Sequence, residues 1–259
     1  MFRVAGAQLL SPVNGLEYFY ANLLVSAAGC FTFMDVLLRD KLRRGGFGGI
    51  REYRLIFDDR IADGRVAAGA WQGFSNLVYL ADARMVPHGE TRLHAHRELD
   101  IITVMLEGRL AHEGSLRHGK PLVAYDVQVT RGGAEAVSHA EINPEDTENR
   151  LIRLWVLPES TGEAVARRCL RLDAGRVTRG YGGRREPAVT FPARTCIDIA
   201  RVPGGRTVDI DKPALVYVCE GRGFGNEDSV AGGALMRCNQ LTFDATEDTC
   251  LIIVHAEDS

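Results

Sequence analysis

After residue 50 the chain is divided into short apolar or alternating segments, and each of them ends at a turn signal. The segments are YRLIF, SNLVYLADARMV, LDIITVML, LVAYDVQVTRG, NRLIRLWVL, TCIDIARV, ALVYVC, NQLTFDA and CLIIVHA. Many short strands at this close spacing predict an all-β sandwich or barrel. Helical patterns are few. The best is TGEAVARRCLRL over residues 161–172, where Thr161 is a suitable N-cap.

The two halves of this pattern resemble each other. An apolar strand is followed by the tripeptide Glu-Gly-Arg at residues 107–109, and the same arrangement returns at residues 220–222. Matched strands on both sides of each tripeptide predict a duplicated β-barrel. We therefore predict a first barrel over residues 51–160, a second barrel over residues 161–259 and an N-terminal extension over residues 1–50.

The first fifty residues do not share the strand pattern. Residues 18–34 are uncharged but contain polar side chains, which makes them a weak candidate for a membrane span. The basic start of a signal peptide is missing, and apolar residues follow Cys30 where a lipoprotein would begin a polar tether. Two interpretations stay open: an extra packing segment, or translation that begins at Met34. The glycine-rich residues 45–49 predict a flexible joint to the rest of the chain.

Charge and cysteine content argue against several classes of protein. Lys and Arg number 31 against 34 Asp and Glu, and no long basic stripe marks a nucleic-acid surface. Six cysteines occur without a CxxC pair, which favours reduced, mostly buried thiols over a zinc finger or a disulfide framework. We therefore predict a cytoplasmic protein with no direct nucleic-acid contact and no membrane span.

Two pairs of candidate metal ligands lie in the first half of the pattern. His94 and His96 are two residues apart, so on a strand their side chains project to the same face. His139 and Glu141 repeat this spacing on a later apolar strand, after enough residues for three or four intervening strands. In a small barrel the second pair can face the first and bring three imidazoles and one carboxylate together.

The duplication supplies an internal control for the histidine pair. In the first half, the pair precedes Glu107 by 13 and 11 residues. The residues at the same distances before Glu220 are Thr207 and Asp209. The second half therefore lacks the pair, and we predict that metal chemistry is confined to the first barrel.

Three imidazoles and one carboxylate offer nitrogen and oxygen donors and no thiolate. They leave up to two positions of an octahedral ion open, which would let a substrate and dioxygen bind. Such a set favours Fe(II), and Mn, Ni, Cu or Zn also fit the geometry. An isolated histidine pair on a strand is more often packed or exposed than metal-bound. The second pair, His139 and Glu141, makes a metal site the favoured interpretation.

Three further histidines have no partner at ligand spacing. His112 and His118 flank a turn, and we expect both to face solvent. His88 follows a proline in a loop that could border the site. None of the three is placed among the predicted ligands.

Three segments between residues 75 and 160 resemble the pirin family. They are HAHRELDIITVMLEGRLAHEGSL, DVQVTRGGAEAVSHAEINPEDTE and RLWVLP. The family's histidine pair with a following arginine, its LEG turn, its DVQ strand and its H-x-E pair before an N-P segment occur here in the same order. The resemblance implies a bicupin, which consists of two cupin-type β-barrels with a few short helices. It also implies one mononuclear metal, usually iron, in the N-terminal barrel.

The resemblance places the metal ligands at the four residues reached above from their spacing. These are His94, His96, His139 and Glu141, and the following Arg97 also matches the family.

The sequence departs from the family pattern at positions that line or border the cavity. Ala95 and Glu98 stand where the family often has Pro and Gly. Val129 replaces the tryptophan that often follows DVQ, and Ala140 replaces a serine. These differences affect the expected substrate more than the expected metal. The second half and the first fifty residues match the family only loosely.

Some members of this family cleave the flavonol quercetin with dioxygen. The resemblance therefore implies a quercetinase (flavonol 2,4-dioxygenase), similar to quercetin 2,3-dioxygenase, with a small aromatic substrate. Such chemistry needs a base. Glu141 could serve by leaving the metal transiently, and Asp100, at the position of a glutamate common in cupins, is a second candidate. Asp100 lies an even number of residues from His96, so we expect it to face inward, where it could instead orient a ligand imidazole.

Two other functions stay open. Other pirins resemble transcription cofactors or modulators of a metabolic enzyme, which would make this chain a redox-dependent regulator with a protein partner. A barrel that keeps its metal only for structure ranks last, because structural ions normally have a closed shell of protein ligands. An enzyme would consume dioxygen with its substrate, whereas a regulator would bind its partner differently in its two redox states.

Overall fold

The chain folds almost entirely into strands. The computed structural model describes residues 24–25, 31–32, 34–65, 67–114, 120–183 and 190–257. The first twelve strands are β1 (Leu24–Val25), β2 (Phe31–Thr32), β3 (Met34–Leu38), β4 (Ile50–Phe57), β5 (Leu77–Met85), β6 (His94–His96), β7 (Leu99–Glu107), β8 (Arg109–Gly114), β9 (Leu122–Val123), β10 (Asp126–Gly132), β11 (Val137–Ile142) and β12 (Asn149–Val156). The next ten are β13 (Ala166–Arg171), β14 (Val177–Tyr181), β15 (Thr195–Val202), β16 (Thr207–Ile210), β17 (Ala214–Glu220), β18 (Arg222–Gly225), β19 (Asp228–Ala231), β20 (Ala234–Cys238), β21 (Leu241–Ala245) and β22 (Thr249–Ala256). Two short helices lie in the described part of the chain, a 3-10 helix at Arg39–Lys41 and α1 at Asp59–Ala62.

Two pairs of sheets repeat one strand order. The first pair consists of a six-stranded sheet, β13-β10-β7-β12-β5-β4, and a four-stranded sheet, β6-β11-β8-β9. The second pair consists of β3-β20-β17-β22-β15-β14 and β16-β21-β18-β19. Each pair forms one cupin-type barrel, so the predicted all-β fold with two related barrels and a few short helices is confirmed.

The two barrels exchange their outermost strands. β3 precedes the first barrel in the sequence but pairs with β20 of the second, with Val36 opposite Met236. β13 follows the first barrel and pairs with its β10, with Val129 opposite Arg168. The predicted domain boundary between residues 160 and 161 stays a prediction. A strand from each side of this boundary pairs with the barrel formed mainly by the other side.

The helix predicted over residues 161–172 is wrong. Its second half forms β13, in which six consecutive residues pair with β10. The local pattern favours a helix, but the open edge of β10 offers a ladder of backbone hydrogen bonds. Tertiary pairing therefore overrides local propensity.

The glycine-rich residues 45–49 form a tightly packed turn, so the predicted flexible joint is also wrong. Gly49 donates its backbone N–H to the carbonyl of Glu90 at 2.9 Å. A Cβ atom at Gly49 would lie 2.6 Å from the backbone of Gly89 and of Glu90. Glycine is required here because two backbones are in direct contact.

The main hydrophobic core lies between the two six-stranded sheets. It unites Ile102 and Val104 of β7 with Ile199 of β15 and Ile252 of β22, all of them buried. A separate apolar cluster around Phe243 fills the interior of the second barrel. The first barrel has smaller apolar clusters, around Met105, around Tyr79 and around Ile101. Its interior also holds buried polar side chains, among them His139, Glu141 and Arg153.

The described cysteines are free thiols. Cys196, Cys219, Cys238 and Cys250 are buried and Cys169 is exposed, in agreement with the prediction of mostly buried thiols. No helix in the described ranges is both long and apolar enough to cross a membrane. Most of the N-terminal stretch, including Cys30, lies outside the described residues, so both interpretations of it stay predictions.

Asp82 connects the two barrels through buried hydrogen bonds. Its carboxylate accepts two from Arg150 of the first barrel, at 2.7 and 3.0 Å. A third comes from the Tyr217 hydroxyl of the second barrel, at 2.6 Å, and a fourth from Arg39 at 2.9 Å. Burial would raise the pKa of Asp82, but Arg150 and the Tyr217 hydroxyl hold it below its ordinary value. The interface therefore contains an ionised carboxylate.

We expect Tyr217→Phe to lower the free energy of unfolding by about 1.5–3 kcal/mol, the range for a hydrogen bond to a charged group. The substitution removes the hydroxyl and keeps the buried ring. Urea unfolding followed by circular dichroism measures the change. Tyr125→Phe is the matched control, since its hydroxyl reaches Glu220 at 3.2 Å in a less buried position. Equal losses in the two variants would contradict a special role of Tyr217 at the interface.

Candidate metal centre

β6 directs both of its histidines into the first barrel. His94 and His96 are half-buried, whereas Ala95 between them is exposed, as the alternation of a strand requires. β6 pairs with β11 in a register that places His94 opposite His139. The third histidine therefore comes from a neighbouring strand.

These three histidines form a compact cluster. The ring centroids of His94 and His139 are 4.7 Å apart, those of His94 and His96 are 4.9 Å apart, and those of His96 and His139 are 5.2 Å apart. One ring nitrogen from each lies within 4.8 Å of the other two. His94 is oriented by its own chain, because its Nδ1 atom lies 2.8 Å from the carbonyl oxygen of Arg92. The structure thus brings together three of the four predicted ligands.

Glu141 belongs to a second group of donors that shares His139. Its third member is His112, and the ligand atoms of the three residues lie within 4.8 Å of one another. The His112 ring stacks on His139 with centroids 5.8 Å apart, and its Nε2 atom is 3.6 Å from Glu141 Oε1. Gln128 of β10 also contacts His112, at 3.3 Å. Five potential ligands therefore form two groups joined at His139.

The prediction that His112 faces solvent is wrong. Its side chain is 9% exposed, because β8 continues through this position and pairs His112 with Glu141. The sequence carried a usable signal, because His112 lies two residues after the apolar Leu110. The structure buries Leu110 fully. Two residues on one strand face the same side. His118 lies outside the described residues.

Burial keeps the inner imidazoles neutral. It is the largest cause that lowers the pKa of His96, to about 3, and neighbouring His139 and His94 add to it. Burial likewise lowers the pKa of His139 to about 4. Neutral imidazole is the form that binds a metal. Both side chains are therefore in the ligating form at neutral pH.

The Glu141 carboxylate is buried and ionised. Its exposure is 1%, and its Oε2 atom accepts a hydrogen bond from Arg153. Burial would raise the pKa of Glu141, but the charge of Arg153 and the neighbouring His112 hold it well below its usual range. Among the described residues no donor satisfies Oε1. One carboxylate oxygen thus remains available to a ligand.

Aromatic side chains line the wall beside the histidine cluster. Trp155 of β12 stacks on Tyr79 of β5, with centroids 4.2 Å apart and planes 18° apart. The edge of the same indole meets His96, with centroids 5.5 Å apart. Neither Trp155 nor Arg153 received a role from the sequence. Both face the cavity because they are two residues apart on one strand.

Asp100 faces away from the cavity, so its predicted inward orientation is wrong. Its carboxylate accepts hydrogen bonds from Arg131 at 2.9 Å and from the hydroxyl of Tyr181, in the second half of the chain, at 2.7 Å. Glu98 has a φ of 49°, which interrupts the alternation between β6 and β7. Counting an even number of residues from His96 is therefore not valid across this break.

The other two residues singled out from the sequence lie at the surface. His88 has a side chain that is 64% exposed, and its Nε2 atom is 2.7 Å from Asp146. Arg97 is exposed as well. Neither residue belongs to the described donor groups.

In the second barrel the equivalent cavity is filled by apolar side chains. β16 pairs with β21 as β6 pairs with β11, with Val208 opposite Phe243. Both residues pack in the apolar interior of the second barrel. Among the described residues, both groups of metal-type donors lie in the first barrel.

The second-barrel residues compared from the sequence face outward. Thr207 and Asp209 lie on β16 but are exposed, and their side chains bond to neighbouring Asp244 and Thr242. The segments from β6 to Glu107 and from β16 to Glu220 differ in length, so equal distances from the two glutamates do not mark equivalent positions. A shift of one residue turns every side chain to the opposite face of a strand.

The donors present fit a divalent transition metal. Three imidazoles supply nitrogen, and the unsatisfied Oε1 atom of Glu141 supplies an oxygen nearby. A nitrogen and oxygen set of this kind suits iron, nickel, copper, zinc or manganese.

The sequence is similar to known proteins over limited segments. A quercetin 2,3-dioxygenase of Escherichia coli is 30% identical over 105 residues, which cover 40% of this chain and 45% of that protein. A pirin-like protein of Caulobacter vibrioides is 34% identical over 83 residues, which cover 32% of this chain and 35% of that protein. The matched segments thus span less than half the length of these relatives.

Solved structures share the fold over most of the chain. A bacterial pirin from Escherichia coli in complex with nickel(II) has a TM-score of 0.74 at 14% identity, over 87% of this chain and 100% of that one. A quercetin 2,3-dioxygenase from Acinetobacter baumannii has a TM-score of 0.66 at 19% identity, over 86% and 85%. At these identities the likeness shows the two-barrel fold alone. The family model described as Pirin, however, matches residues 24–156, just over half of the sequence, and the chain therefore belongs to the pirin family.

Proposed function

We propose that this pirin is a metal-dependent dioxygenase of the quercetinase type, with a small aromatic substrate such as a flavonol. His94, His96 and His139 would hold the metal, with Glu141 as the fourth candidate ligand. The observation that carries the proposal is the cluster of three imidazoles beside a stacked aromatic wall. The quercetin 2,3-dioxygenases of similar sequence and fold support this choice of reaction.

The cavity is reached from the side of β6. His94 and His96 are only half-buried, and the ring of Phe47 meets His94 edge-on with centroids 6.1 Å apart. Phe47 is 43% exposed and Leu93 is 67% exposed. Exposed apolar side chains at a cavity entrance favour an aromatic ligand over a charged one.

The residues around the cluster can be given roles in such a reaction. A bound divalent metal would act as a Lewis acid that stabilises negative charge developing on a substrate oxygen. Trp155, held by its stacking on Tyr79, offers a flat face to an aromatic ring. Glu141 is the candidate base, because its carboxylate lies next to the histidines with one oxygen free. Asp100 is not carried into this proposal, since it faces the other barrel.

Iron(II) is the metal we propose first, and manganese, nickel, copper and zinc remain alternatives. The nitrogen and oxygen donors accept all of them. Nickel(II) is the ion in the related Escherichia coli pirin structure, which makes it the first alternative to test. The cytoplasmic location suggested by the cysteines stays a prediction.

Oxygen uptake in the presence of quercetin tests the proposed activity. Protein reconstituted with Fe(II) should consume dioxygen, and His94→Ala should reduce the rate to that of free metal. His88→Ala is the matched control, because His88 lies at the surface beside Asp146. A fully metal-loaded protein that shows no uptake with flavonols would count against the dioxygenase. The regulatory alternative would then be tested by partner binding in the two redox states.

A further inference from the structure

The ring of Phe47 lies at the mouth of the first barrel, against one of the candidate metal ligands. It meets the His94 ring edge-on, with centroids 6.1 Å apart and planes 87° apart. The Nδ1 atom of His94 lies 2.8 Å from the carbonyl oxygen of Arg92, which leaves its Nε2 atom for the metal cluster. Phe47 therefore touches a ring of the candidate metal centre without offering a ligand atom of its own.

Exposed apolar surface in the first barrel is concentrated at this mouth. Six large apolar side chains of the described residues are exposed to solvent, and four of them lie on strands of the second barrel. These four are Val36, Leu38, Val177 and Phe224. The other two are Phe47, which is 43% exposed, and Leu93, which directly precedes His94. An apolar side chain left open at the rim of a cavity marks a place where a ligand is contacted.

The backbone fixes the position of Phe47. Gly45 and Glu52 exchange two backbone hydrogen bonds, at 2.8 and 3.2 Å. Gly46 and Gly48, on either side of Phe47, have positive φ angles of 141° and 53°, which glycine adopts without strain. Phe47 is therefore held at the tip of a tight turn, so that little conformational freedom is lost when a ligand packs against its ring.

Phe47 and Trp155 stand at the two ends of the histidine pair on β6. The Trp155 indole lies 5.5 Å from the His96 ring, and the rings of His96 and His94 are 4.9 Å apart, both measured between centroids. Phe47 follows beyond His94. Because both histidines separate the two aromatic side chains, a substrate with one ring can contact only one of them. A substrate with two ring systems can contact both.

We propose that Phe47 is a specificity-determining residue, whose exposed ring forms an outer subsite for the second ring system of a flavonol-like substrate. This inference rests on the function proposed above, in particular on its aromatic substrate. Aromatic rings in contact attract each other in offset-stacked or edge-to-face arrangements, in addition to the burial of their apolar surface. The subsite favours a flavonol over a single-ring catechol, because only the flavonol reaches Phe47.

Ligand affinity of the Zn(II)-loaded protein tests the outer subsite separately from turnover. Zn(II) has no redox chemistry, so a bound ligand is not consumed. Quercetin and catechol are titrated by calorimetry into the wild type, F47A, F47Y and F224A. F224A is the matched control, since Phe224 is 44% exposed on the second barrel. Zinc content after the titration and circular dichroism confirm that each protein is loaded and folded.

We expect F47A to bind quercetin about tenfold more weakly and to keep its affinity for catechol within about twofold. F47Y should bind both ligands as the wild type does, because it keeps the ring. F224A should leave both affinities unchanged. Zinc content should be the same in every protein, since Phe47 offers no ligand atom.

A role of Phe47 that is limited to supporting His94 would lower the zinc content and weaken both ligands together, and this result would overturn the subsite. An unchanged quercetin affinity in F47A, or a wild type that binds no quercetin, would overturn it as well. Oxygen uptake by the Fe(II) protein with a single-ring substrate would then show that the dioxygenase stands without the subsite. A selective loss of quercetin affinity in F47A, with no oxygen uptake by the wild type, would retain the subsite and reject the dioxygenase.

Discussion

Replacing His139 by alanine is expected to abolish stoichiometric metal binding. His139 is shared by both groups of potential ligands, so no rearrangement among the described donors replaces it. It is 9% exposed, and burial lowers its pKa to about 4, so it offers a neutral imidazole at pH 7. Its loss should weaken binding by more than the roughly 10–100-fold typical of a partner that only orients a ligand.

Metal analysis of protein purified without chelator measures this effect. The wild type should carry close to one transition-metal ion per chain, and the His139→Ala variant should carry only background amounts. His88→Ala provides a histidine control at the surface and should leave the content unchanged. Equal metal content in wild type and His139→Ala would show that the ion is bound elsewhere. Metal in neither protein would show that the histidine cluster has another role.

Replacing Phe243 by alanine is expected to lower the free energy of unfolding by about 3–5 kcal/mol, the range for a buried Phe→Ala substitution. Phe243 is fully buried in the apolar cluster of the second barrel. Its ring covers Gly223, where a Cβ atom would lie 2.8 Å from the Phe243 Cζ atom. Truncation would therefore leave a cavity with little surrounding freedom to collapse.

Urea unfolding of the metal-free protein gives the comparison. Phe224→Ala is the matched control in the same sheet, since Phe224 is 44% exposed, and its effect should stay within about 0.5 kcal/mol. The metal content of the first barrel should be the same in both variants. A similar cost for Phe224 and Phe243 would argue against a specifically packed interior in the second barrel.

These two experiments test two barrels that share one strand order but differ in the side chains of their interiors. In the first barrel β6 and β11 place His94 opposite His139, and in the second barrel β16 and β21 place Val208 opposite Phe243. The first interior carries metal-type donors, whereas the second is packed with apolar side chains. The second barrel contributes stability and the partner for the shared core rather than a second site of the same kind.

The charge of the site also bears on its chemistry. A carboxylate paired with Arg153 is a weaker base than a free one, because the positive charge stabilises its ionised form. In the proposed reaction Glu141 would accept a proton on Oε1, the oxygen that Arg153 does not contact.

Much of the fold, and the histidine cluster at the centre of the site, could be predicted from local patterns in the sequence. Short strands between turn signals indicated two related barrels. The spacing of His94 and His96 placed both side chains on one face, because alternation is a property of any single strand. The spacing of His139 and Glu141 worked in the same way. Each of these predictions depends on one uninterrupted strand.

Predictions of a strand face failed where they were counted across a break in a strand. Asp100 was counted across the positive φ of Glu98, and Thr207 was counted across a segment that differs in length from its counterpart. The register of a strand is lost at such points, and a shift of one residue reverses the face. His112 was missed because it was assigned to a turn rather than to β8.

The sequence by itself determined which residues could bind a metal and which face of each strand they occupy, since both follow from side-chain chemistry and the two-residue repeat. Only the tertiary structure decided which strands are neighbours. Strand pairing brought β13 to β10 in place of a helix and set His112 opposite Glu141. Packing then directed Arg153 at the same carboxylate. Contacts between residues distant in sequence depend on pairing and packing energies that no local pattern contains.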